Sequence, residues 1–455
     1  MYFIISTRLL RSATPAWATV TLGLALFSPS FVFHSSTGAM GVAWGSALAE
    51  TQPADPILTL DLAIARALAG NPGLAEVKAR ADAQAAIPSQ DGSLPDPTIR
   101  FGALYLPTNS FNLRQDDFTM MEVGLSQDIP FPGKLALREK IAEHEALAAA
   151  DSVKEAQLLL ASEVKQSWWR LFYYGRALNL LDEAEIFFQQ LVAIAQEKYK
   201  AGKGTQQDVM LAQLELSKLK QEKLELASLR HSQDARINAL LNRTPETPVK
   251  IPAEAEFKLP VIVESALQDK ALQRRPLFAQ HRKMLDAAKT RVELAQKGLY
   301  PDFTVGAFYD ARQNTPTGQS RSDFASVQVS MNLPIYAAGK QAKAIDQRKS
   351  ELLQEQYSLQ DEHHKIQAEI ASKAAEYQHA KEKLLLLEHE IIPQAQQTVN
   401  SLLAGYQVSQ TAFSDLLRTQ LGFFQYQTQY WQALTSTQQL LAELSAEVGE
   451  ELGHD

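Results

Sequence analysis

Two very long stretches of the sequence contain almost no helix-breaking residue. Residues 133–201 have no Pro and one internal Gly, Gly175, and residues 339–403 carry a single Pro, Pro393. As one helix, the first stretch would be roughly 100 Å long at about 1.5 Å per residue. A helix of this length cannot bury a face inside a compact globule, so we predict that it packs along other long helices.

The sequence also repeats itself with a shift near 205 residues. Four blocks recur in the same order, which chance does not explain. Leu94-Pro95-Asp96 returns as Tyr300-Pro301-Asp302, Ser126 to Pro130 as Ser330 to Pro334, Gly133-Lys134 as Gly339-Lys340, and Tyr199 with Asp208 as Tyr406 with Asp415. A repeat this long predicts two copies of one large unit and not a solenoid. We therefore expect two structural repeats, residues 50–250 and 251–455.

Each repeat predicts the same elements in the same order. The first has helices interrupted at Asn71-Pro72, strands at about 97–106 and 117–128, a long helix at about 133–201 and a return helix at about 205–242. The second has helices interrupted at Arg275-Pro276, strands at about 302–310 and 322–333, a long helix at about 339–403 and a return helix at about 410–450. Pro ends a helix because it lacks a donor and clashes with the preceding turn. The fold class is mainly α, with four strands.

The four strands alternate between apolar and polar residues, which indicates one apolar and one polar face. The apolar positions are Ile99, Phe101, Ala103 and Tyr105; Met121, Val123 and Leu125; Phe303, Val305, Ala307 and Tyr309; and Val327, Val329, Met331 and Leu333. Four strands cannot close a barrel, since about eight is the working minimum, and an open edge in lipid leaves backbone groups unpaired. Three chains would give twelve strands and an open lumen, so we expect a homotrimeric membrane β-barrel continued by a helical tunnel.

Pro and Gly mark the points where each barrel strand passes into a long helix. The first junction contains Pro130, Pro132 and Gly133, and the second contains Pro334 and Gly339. Pro stops pairing of the strand, and Gly frees the backbone to redirect the chain.

The first fifty residues predict export from the cytoplasm. Arg8 and Arg11 precede an apolar stretch, and small residues follow up to Ala47-Leu48-Ala49, so residues 1–49 resemble a signal peptide; a misplaced start codon or an uncleaved anchor helix is the alternative. Beyond residue 50, no stretch has the roughly 18 apolar residues of a membrane helix. With no Cys there is no residue to acylate, so we expect the barrel alone to anchor the protein.

Composition and motifs argue against several classes of function. The formal net charge of -8 provides no basic surface for nucleic acid. No zinc-protease, Walker or nucleophile-elbow motif is present, so we predict no enzyme, no cofactor and no metal site. His363-His364 and Met120-Met121 are better read as pairs whose members face different sides of one element than as metal ligands.

These residues together resemble the TolC-type outer-membrane efflux family, over essentially the whole chain after the signal. The motifs are Asn71-Pro72-Gly73-Leu74 and Arg275-Pro276-Leu277, the Pro-Asp sequences before the strands, the run from Ser126 to Lys134, and the Tyr199 to Asp208 and Tyr406 to Asp415 turns. The resemblance implies a twelve-stranded trimeric barrel in the outer membrane of a Gram-negative-type cell. It also implies a helical tunnel in the periplasm that docks onto a periplasmic adaptor protein and an inner-membrane pump.

The resemblance also implies where the tunnel narrows. The family often has two acids three residues apart at the tip of the second repeat, and here Asp415 matches the first while Arg418 replaces the second. Three copies of Asp415 would converge on the axis, but Asp415 and Asp208 also suit a helix N-terminus. Tyr199 and Tyr406 could hold neighbouring helices together or simply pack the turn. Gly202 and Ser409 mark the turns, where Gly202 is expected to end its helix.

The expected function is therefore a passive conduit in a tripartite efflux system. The Phe131-Pro132-Gly133-Lys134 form is most similar to members that serve metal-ion or drug pumps, although the residues do not separate metal ions, drugs and polypeptides as cargo. The alternative is a periplasmic adaptor or a coiled-coil scaffold without its own pore. An adaptor would carry one helical hairpin between soluble β-domains, and a scaffold would lack the Pro-Gly junctions.

Overall fold

The computed structural model describes residues 57–408 and 410–452, so the predicted signal peptide and Ser409 lie outside the described residues. The protein is mostly helical, with one small antiparallel sheet. The elements of the first half are α1 Leu60–Gly70, α2 Pro72–Ala85, α3 Ile87–Gly92, β1 Thr98–Leu104, β2 Met120–Ile129, α4 Lys134–Lys200 and α5 Gln206–Leu240. Those of the second half are α6 Glu264–Arg274, α7 Pro276–Lys297, β3 Phe303–Ala311, β4 Phe324–Met331, α8 Gln341–Leu386, a π-helical turn Leu387–Ile391, α9 Ile392–Gln407 and α10 Phe413–Val448.

The breaks at Pro72 and Pro276 are stabilised in two different ways. At the first break, the Asn71 side chain accepts a hydrogen bond from the Leu74 N–H at 3.0 Å and so caps α2. At the second, the residue is Arg275, whose guanidinium has no acceptor. A carboxylate oxygen of Glu155, from the middle of α4, accepts the Leu277 N–H at 3.2 Å instead. The start of α2 is therefore capped by the adjacent Asn71, whereas the start of α7 is capped by Glu155 from a distant part of the chain.

The long helices lie against one another, as their length requires. α4 has 67 residues and packs against α5, α7 and α10, while α8 packs against α7 and α10. The second long stretch is not one regular helix. Pro393 removes a backbone donor, and the π-helical turn directly before it absorbs the lost hydrogen bond, so that helix resumes in α9 and continues to Gln407.

Three buried clusters hold the helices together at different heights. One surrounds Trp168 and Trp169, with the Trp168 indole N–H donating to the Leu58 carbonyl at 2.8 Å. A second joins the ends of the long helices around Phe188, Tyr406 and Phe413. The third joins α6, α7, α8 and α10, with Tyr377 fully buried. Among the helices described, none is long and apolar enough to cross a membrane.

The sheet has the strand order β1-β2-β3-β4, and every neighbouring pair is antiparallel. Ile99 lies opposite Leu125, Leu125 opposite Ala307 and Ala307 opposite Val327, so one row of apolar residues crosses all four strands. β2 and β3 are paired on both sides. β1 and β4 are each paired on one side only within the chain.

Candidate functional site

The sheet presents two chemically different faces. All odd-numbered strand positions lie on one face, which we call the apolar face. Its side chains are exposed although they are large, with Phe101 at 77% and Val327 at 78% of full exposure. An exposed apolar surface of this kind marks contact with a membrane or another protein. The even-numbered positions form the polar face, with Arg100, Glu122, Ser126, Asp128, Thr304, Asp310, Ser326, Gln328 and Ser330.

The polar face also carries two aromatic rings, Phe324 at the start of β4 and Phe308 in the middle of β3. Phe308 is packed against the sheet. A Cβ built on Gly124 would lie 2.1 Å from that ring, and one built on Gly306 would lie 2.8 Å from it, so the ring lies flat across both glycines. The guanidinium of Arg100 lies 5.7 Å from the ring centroid. The glycines keep the ring against the sheet, which leaves the space above the polar face open.

The first strand-to-helix junction is tied to the start of β3 by charge and stacking. Asp302 Oδ1 accepts the Phe131 N–H and Lys134 Nζ, both at 2.7 Å. The rings of Phe131 and Tyr300 stack with their centroids 4.5 Å apart. Gly133 has φ of +90°, a left-handed conformation that glycine adopts without strain.

The second junction turns without a left-handed glycine. Gly339 does not have a positive φ, and a Cβ built on it would meet nothing within 4 Å. The chain instead reverses through successive turns, in which the N–H groups of Gly339 and Lys340 both donate to the Tyr336 carbonyl. This junction has two residues more between Pro334 and its glycine than the first has after Pro130, so no left-handed residue is needed.

We expect Gly133→Ala to destabilise the protein and Gly339→Ala to leave it unchanged. A non-glycine residue held at a positive φ costs about 1–3 kcal/mol. The two substitutions add the same methyl group at corresponding junctions, so each is the control for the other. The apparent melting temperature of the detergent-purified protein measures both, and equal shifts would contradict the role of the left-handed conformation at Gly133.

The turn between α4 and α5 has a complete set of helix-end interactions. Gly202 has φ of +67°, and the N–H of Lys203 donates to the Lys198 carbonyl, which ends α4. Thr205 Oγ1 accepts the Asp208 N–H, and the Asp208 carboxylate accepts the Thr205 N–H, both at 3.2 Å. This is a capping box. In the single chain, the Asp208 carboxylate is therefore occupied in starting α5.

Asp415 occupies the corresponding position on α10 but is held differently. The N-cap residue of α10 is Ala412, which has no side-chain acceptor, so no capping box forms. Asp415 is exposed, and no ion pair joins it to Arg418 among the residues that the structure describes. Arg418 is also exposed and lines a depression of about 910 Å³ with Ile391 and Tyr426.

Tyr406 links the two helix-end turns, whereas Tyr199 does not. Tyr406 is 5% exposed, and its ring lies 4.0 Å from Lys198 Nζ, which also donates to the Tyr406 carbonyl. Its hydroxyl is buried without a hydrogen-bond partner. Burial raises the pKa of the Tyr406 phenol, and the charge of Asp208 raises it further. Tyr199 is exposed on another side, where it lines a cavity of about 340 Å³ with Val209 and Met210.

Lys198 is the residue of the candidate site that the sequence analysis missed. It is one of two basic residues in the last turn of α4, where a cation suits the helix dipole, and nothing in the sequence separates it from Lys200. Lys198 contacts Tyr406 of the second turn, whereas Lys200 forms an exposed ion pair with Glu197. In residues 57–408 and 410–452, no group of three or more potential metal-ligating side chains is found.

Comparison with known proteins identifies the family. The sequence model of the outer membrane efflux protein family matches residues 63–243 and 267–450. The chain belongs to the outer membrane efflux protein family. Members of this family are outer-membrane channels, not enzymes, and work as trimers with an adaptor and an inner-membrane pump. The protein is accordingly an outer-membrane channel component of an efflux system, and the adaptor and scaffold alternatives gain no support.

Solved structures of outer-membrane proteins share this fold at low sequence identity. VceC from Vibrio cholerae is 18% identical, with a TM-score of 0.73 over 87% of this chain and 97% of that chain. The open state of the MtrE outer membrane channel from Neisseria gonorrhoeae is 17% identical, with a TM-score of 0.70 over 87% and 90%. The CmeC outer membrane channel from Campylobacter jejuni is 15% identical, with a TM-score of 0.67 over 94% and 96%. A search of curated proteins gives no match.

Proposed function

We propose that three copies of this chain form a twelve-stranded barrel in the outer membrane, continued by a tunnel of long helices in the periplasm. The observation that carries this proposal is the sheet, with one exposed apolar face, one polar face and two edges that lack a partner within the chain. In lipid, each unpaired backbone group costs several kcal/mol, so both edges need partners. Four strands from each of three chains close such a barrel with an open lumen.

The faces of the sheet then have separate roles. The apolar face meets lipid, and the polar face lines water. The two long loops that follow β1 and β3 are joined by an ion pair between Arg321 and Asp117, and the Arg114 side chain donates to Gln313 at 3.1 Å. These loops lie at the end of the sheet opposite the helix junctions, where they would face the cell exterior. We propose an internal duplication, residues 50–250 and 251–455, as the origin of the two hairpins.

The channel is a passive conduit for substrates that an inner-membrane pump delivers through a periplasmic adaptor. The helix-end turns at the far end of the tunnel are its entrance. We assign Asp415 and Arg418 to the narrowest ring there, because both side chains are exposed and Asp415 is not engaged in a cap. Tyr406 and Lys198 hold the two turns of one chain together, Asp208 caps α5, and Tyr199 lies on the outer surface. Metal ions and drugs are the cargo classes favoured by the similarity of the Phe131-Pro132-Gly133-Lys134 form to members that serve such pumps.

Ion conductance in planar bilayers tests the channel and its entrance together. We expect trimers whose preference for cations falls in Asp415→Ala and is kept in Asp208→Ala. A unit charge at about 4 Å in water is worth about 1 kcal/mol, or about fivefold in ion occupancy. Asp208→Ala should instead lower thermal stability by about 1 kcal/mol, the usual value of an N-terminal cap interaction.

The outcomes separate the parts of this proposal. Trimers that conduct with the same selectivity in both variants would keep the channel and reduce Asp415 to a residue that favours the helix dipole. A water-soluble protein that never inserts into the bilayer would refute the channel itself.

A further inference from the structure

The two outer strands of the sheet form a pair of edges that the same chain cannot join. β1 and β4 lie at opposite sides of a four-stranded sheet, and four strands are too few to close on themselves. The apolar side chains along both edges are exposed, including Ile99, Phe101, Val327 and Val329. A second copy of this chain is the partner that offers a complementary edge, and this inference rests on the trimeric barrel proposed above.

The pairing within the chain provides a template for the register of that contact. A shift of 206 residues carries Pro95-Asp96 onto Pro301-Asp302, and a shift of 204 carries Ser126 onto Ser330. These shifts convert one hairpin into the other: the pair Thr98 and Ser126 becomes Thr304 and Ser330, and the pair Ala103 and Met121 becomes Tyr309 and Ala325. The two hairpins therefore share one register.

The same shifts convert the contact between hairpins, β2 with β3, into a contact between β4 and β1. The pair Leu125 and Ala307 becomes Val329 and Phe101. We propose that β4 of one subunit pairs antiparallel with β1 of the next, with Val329 opposite Phe101 of the partner subunit. Met331 then lies opposite Ile99 of the partner subunit, and Val327 opposite Ala103 of the partner subunit.

The side chains that this register brings together are compatible. Every odd-numbered residue meets an odd-numbered one, so the apolar face continues across the subunit boundary. A register shifted by one residue would reverse this. Within the chain, Thr304 Oγ1 donates to Asp128 Oδ1 at 2.6 Å. The shifted pair is Asn332 with Thr98 of the partner subunit. Asn332 Oδ1 accepts the Asp302 N–H at 2.5 Å, so its amide nitrogen would donate to the threonine hydroxyl.

In the pairing of β2 with β3, a glycine of one strand lies opposite a large side chain of the other. The proposed pairing of β4 with β1 also places a glycine opposite a large side chain, but on the other strand. Within the chain, Gly124 lies opposite Phe308, and the ring fills the space that the glycine leaves. The shifted pair is Gln328 with Gly102 of the partner subunit. A Cβ on Gly102 would meet nothing within 4 Å in the single chain, so the space that the Gln328 side chain would occupy is open.

A register shifted by two residues would also keep the apolar and polar faces continuous. Disulfide trapping must therefore distinguish the proposed register from this shifted one. The sequence has no Cys, which makes every introduced thiol unique. Directly opposite residues have Cα atoms about 4.5–5.5 Å apart, within the range for a disulfide, whereas diagonal neighbours lie about 7–8 Å apart. The test variant is Val329→Cys with Phe101→Cys. The slipped control is Val329→Cys with Ala103→Cys, and the template control within one chain is Leu125→Cys with Ala307→Cys.

After mild oxidation in membranes, we expect the test variant to give covalent dimers and trimers on non-reducing gels after boiling. The fraction of chains cross-linked in the test variant should equal the fraction of thiols lost in the template control, whose disulfide forms within one chain. It should exceed the cross-linked fraction in the slipped control about tenfold. Covalent trimers mainly from the slipped control would overturn the register but keep the trimeric channel. If the template control forms its disulfide while neither of the other two links chains, and the native mass is that of a monomer, the trimeric barrel fails together with the register.

Discussion

Replacing Arg275 by alanine should cost about 3–5 kcal/mol of folding free energy, because it leaves one buried and one largely buried carboxylate without their cation. The Arg275 residue is only 7% exposed and lies between α4 and α10, near the buried cluster that contains Tyr377. Its Nε and Nη2 lie 3.1 and 3.0 Å from Glu155 Oε1, and its Nη1 contacts Glu447. Glu155 also caps α7, so the loss of its partner disturbs a helix end as well.

The cost should depend on pH in a defined direction. Burial already raises the pKa of the Glu447 carboxyl, and nearby Glu369 raises it further, while Arg275 opposes both. Without Arg275 the pKa of Glu447 rises again. A carboxyl whose pKa is higher in the folded than in the unfolded protein loses stability as pH rises through that window. The loss of folding free energy in Arg275→Ala should therefore be largest near neutral pH and should decrease as the pH is lowered from neutral.

The neighbouring residue is a matched control. Arg274 forms its ion pair with Glu450 while its side chain remains 57% exposed, and exposed pairs contribute about 0–1 kcal/mol. The apparent melting temperature of the detergent-purified protein, measured at two pH values, should fall strongly for Arg275→Ala and little for Arg274→Ala. Similar losses for the two variants, or a loss that does not change with pH, would contradict the buried-charge explanation.

A second feature of the same site is Gly449, which explains why the chain can pass so close to Arg275. Gly449 has φ of +77°, and a Cβ built on it would lie 2.7 Å from the Arg275 Cα. The end of α10 and the start of α7 are thus in backbone contact. The charges of Arg275, Glu155 and Glu447 lie where three helices meet, and the local geometry permits no side chain at position 449.

The sequence predicted those parts of the structure that depend on local rules. Pro72 and Pro276 marked the helix breaks because Pro lacks a backbone donor, and the alternation of apolar residues marked the strands because side chains alternate across a sheet. The strand faces followed from the same alternation. Family membership could also be recognised, because the repeated motifs around Pro130 and Pro301 are specific when they occur in order.

The features that the sequence did not predict depend on long-range contacts. Glu155 caps a helix more than a hundred residues away, and Lys198 meets Tyr406 from the other half of the chain. A Pro inside a helix can be accommodated by a kink or by a π-helical turn that adds one residue. The sequence does not show which of the two forms before Pro393, because packing against other helices decides it. Gly339 shows the same limit, since a longer junction removes the need for the left-handed residue that its counterpart Gly133 provides.

Replacing Tyr406 by alanine should open the proposed tunnel entrance, whereas replacing it by phenylalanine should not. The ring is buried between the two helix-end turns against Phe413 and Lys198, so removing it costs about 3–5 kcal/mol. If only the closed entrance makes this contact, the ratio of open to closed channels rises about 10²- to 4 × 10³-fold, at tenfold for each 1.4 kcal/mol.

The hydroxyl of Tyr406 distinguishes this explanation from a hydrogen-bonded latch. That hydroxyl is buried without a partner, so Tyr406→Phe removes a desolvated polar group and should leave stability unchanged or raise it by about 1 kcal/mol. Single-channel recordings should then show long open periods for Tyr406→Ala and parent-like gating for Tyr406→Phe. Equal opening by both variants would instead show that the Tyr406 hydroxyl holds the entrance closed. No opening by either variant would place the restriction in the ring of Asp415 and Arg418, because the two turns could then separate without widening the entrance.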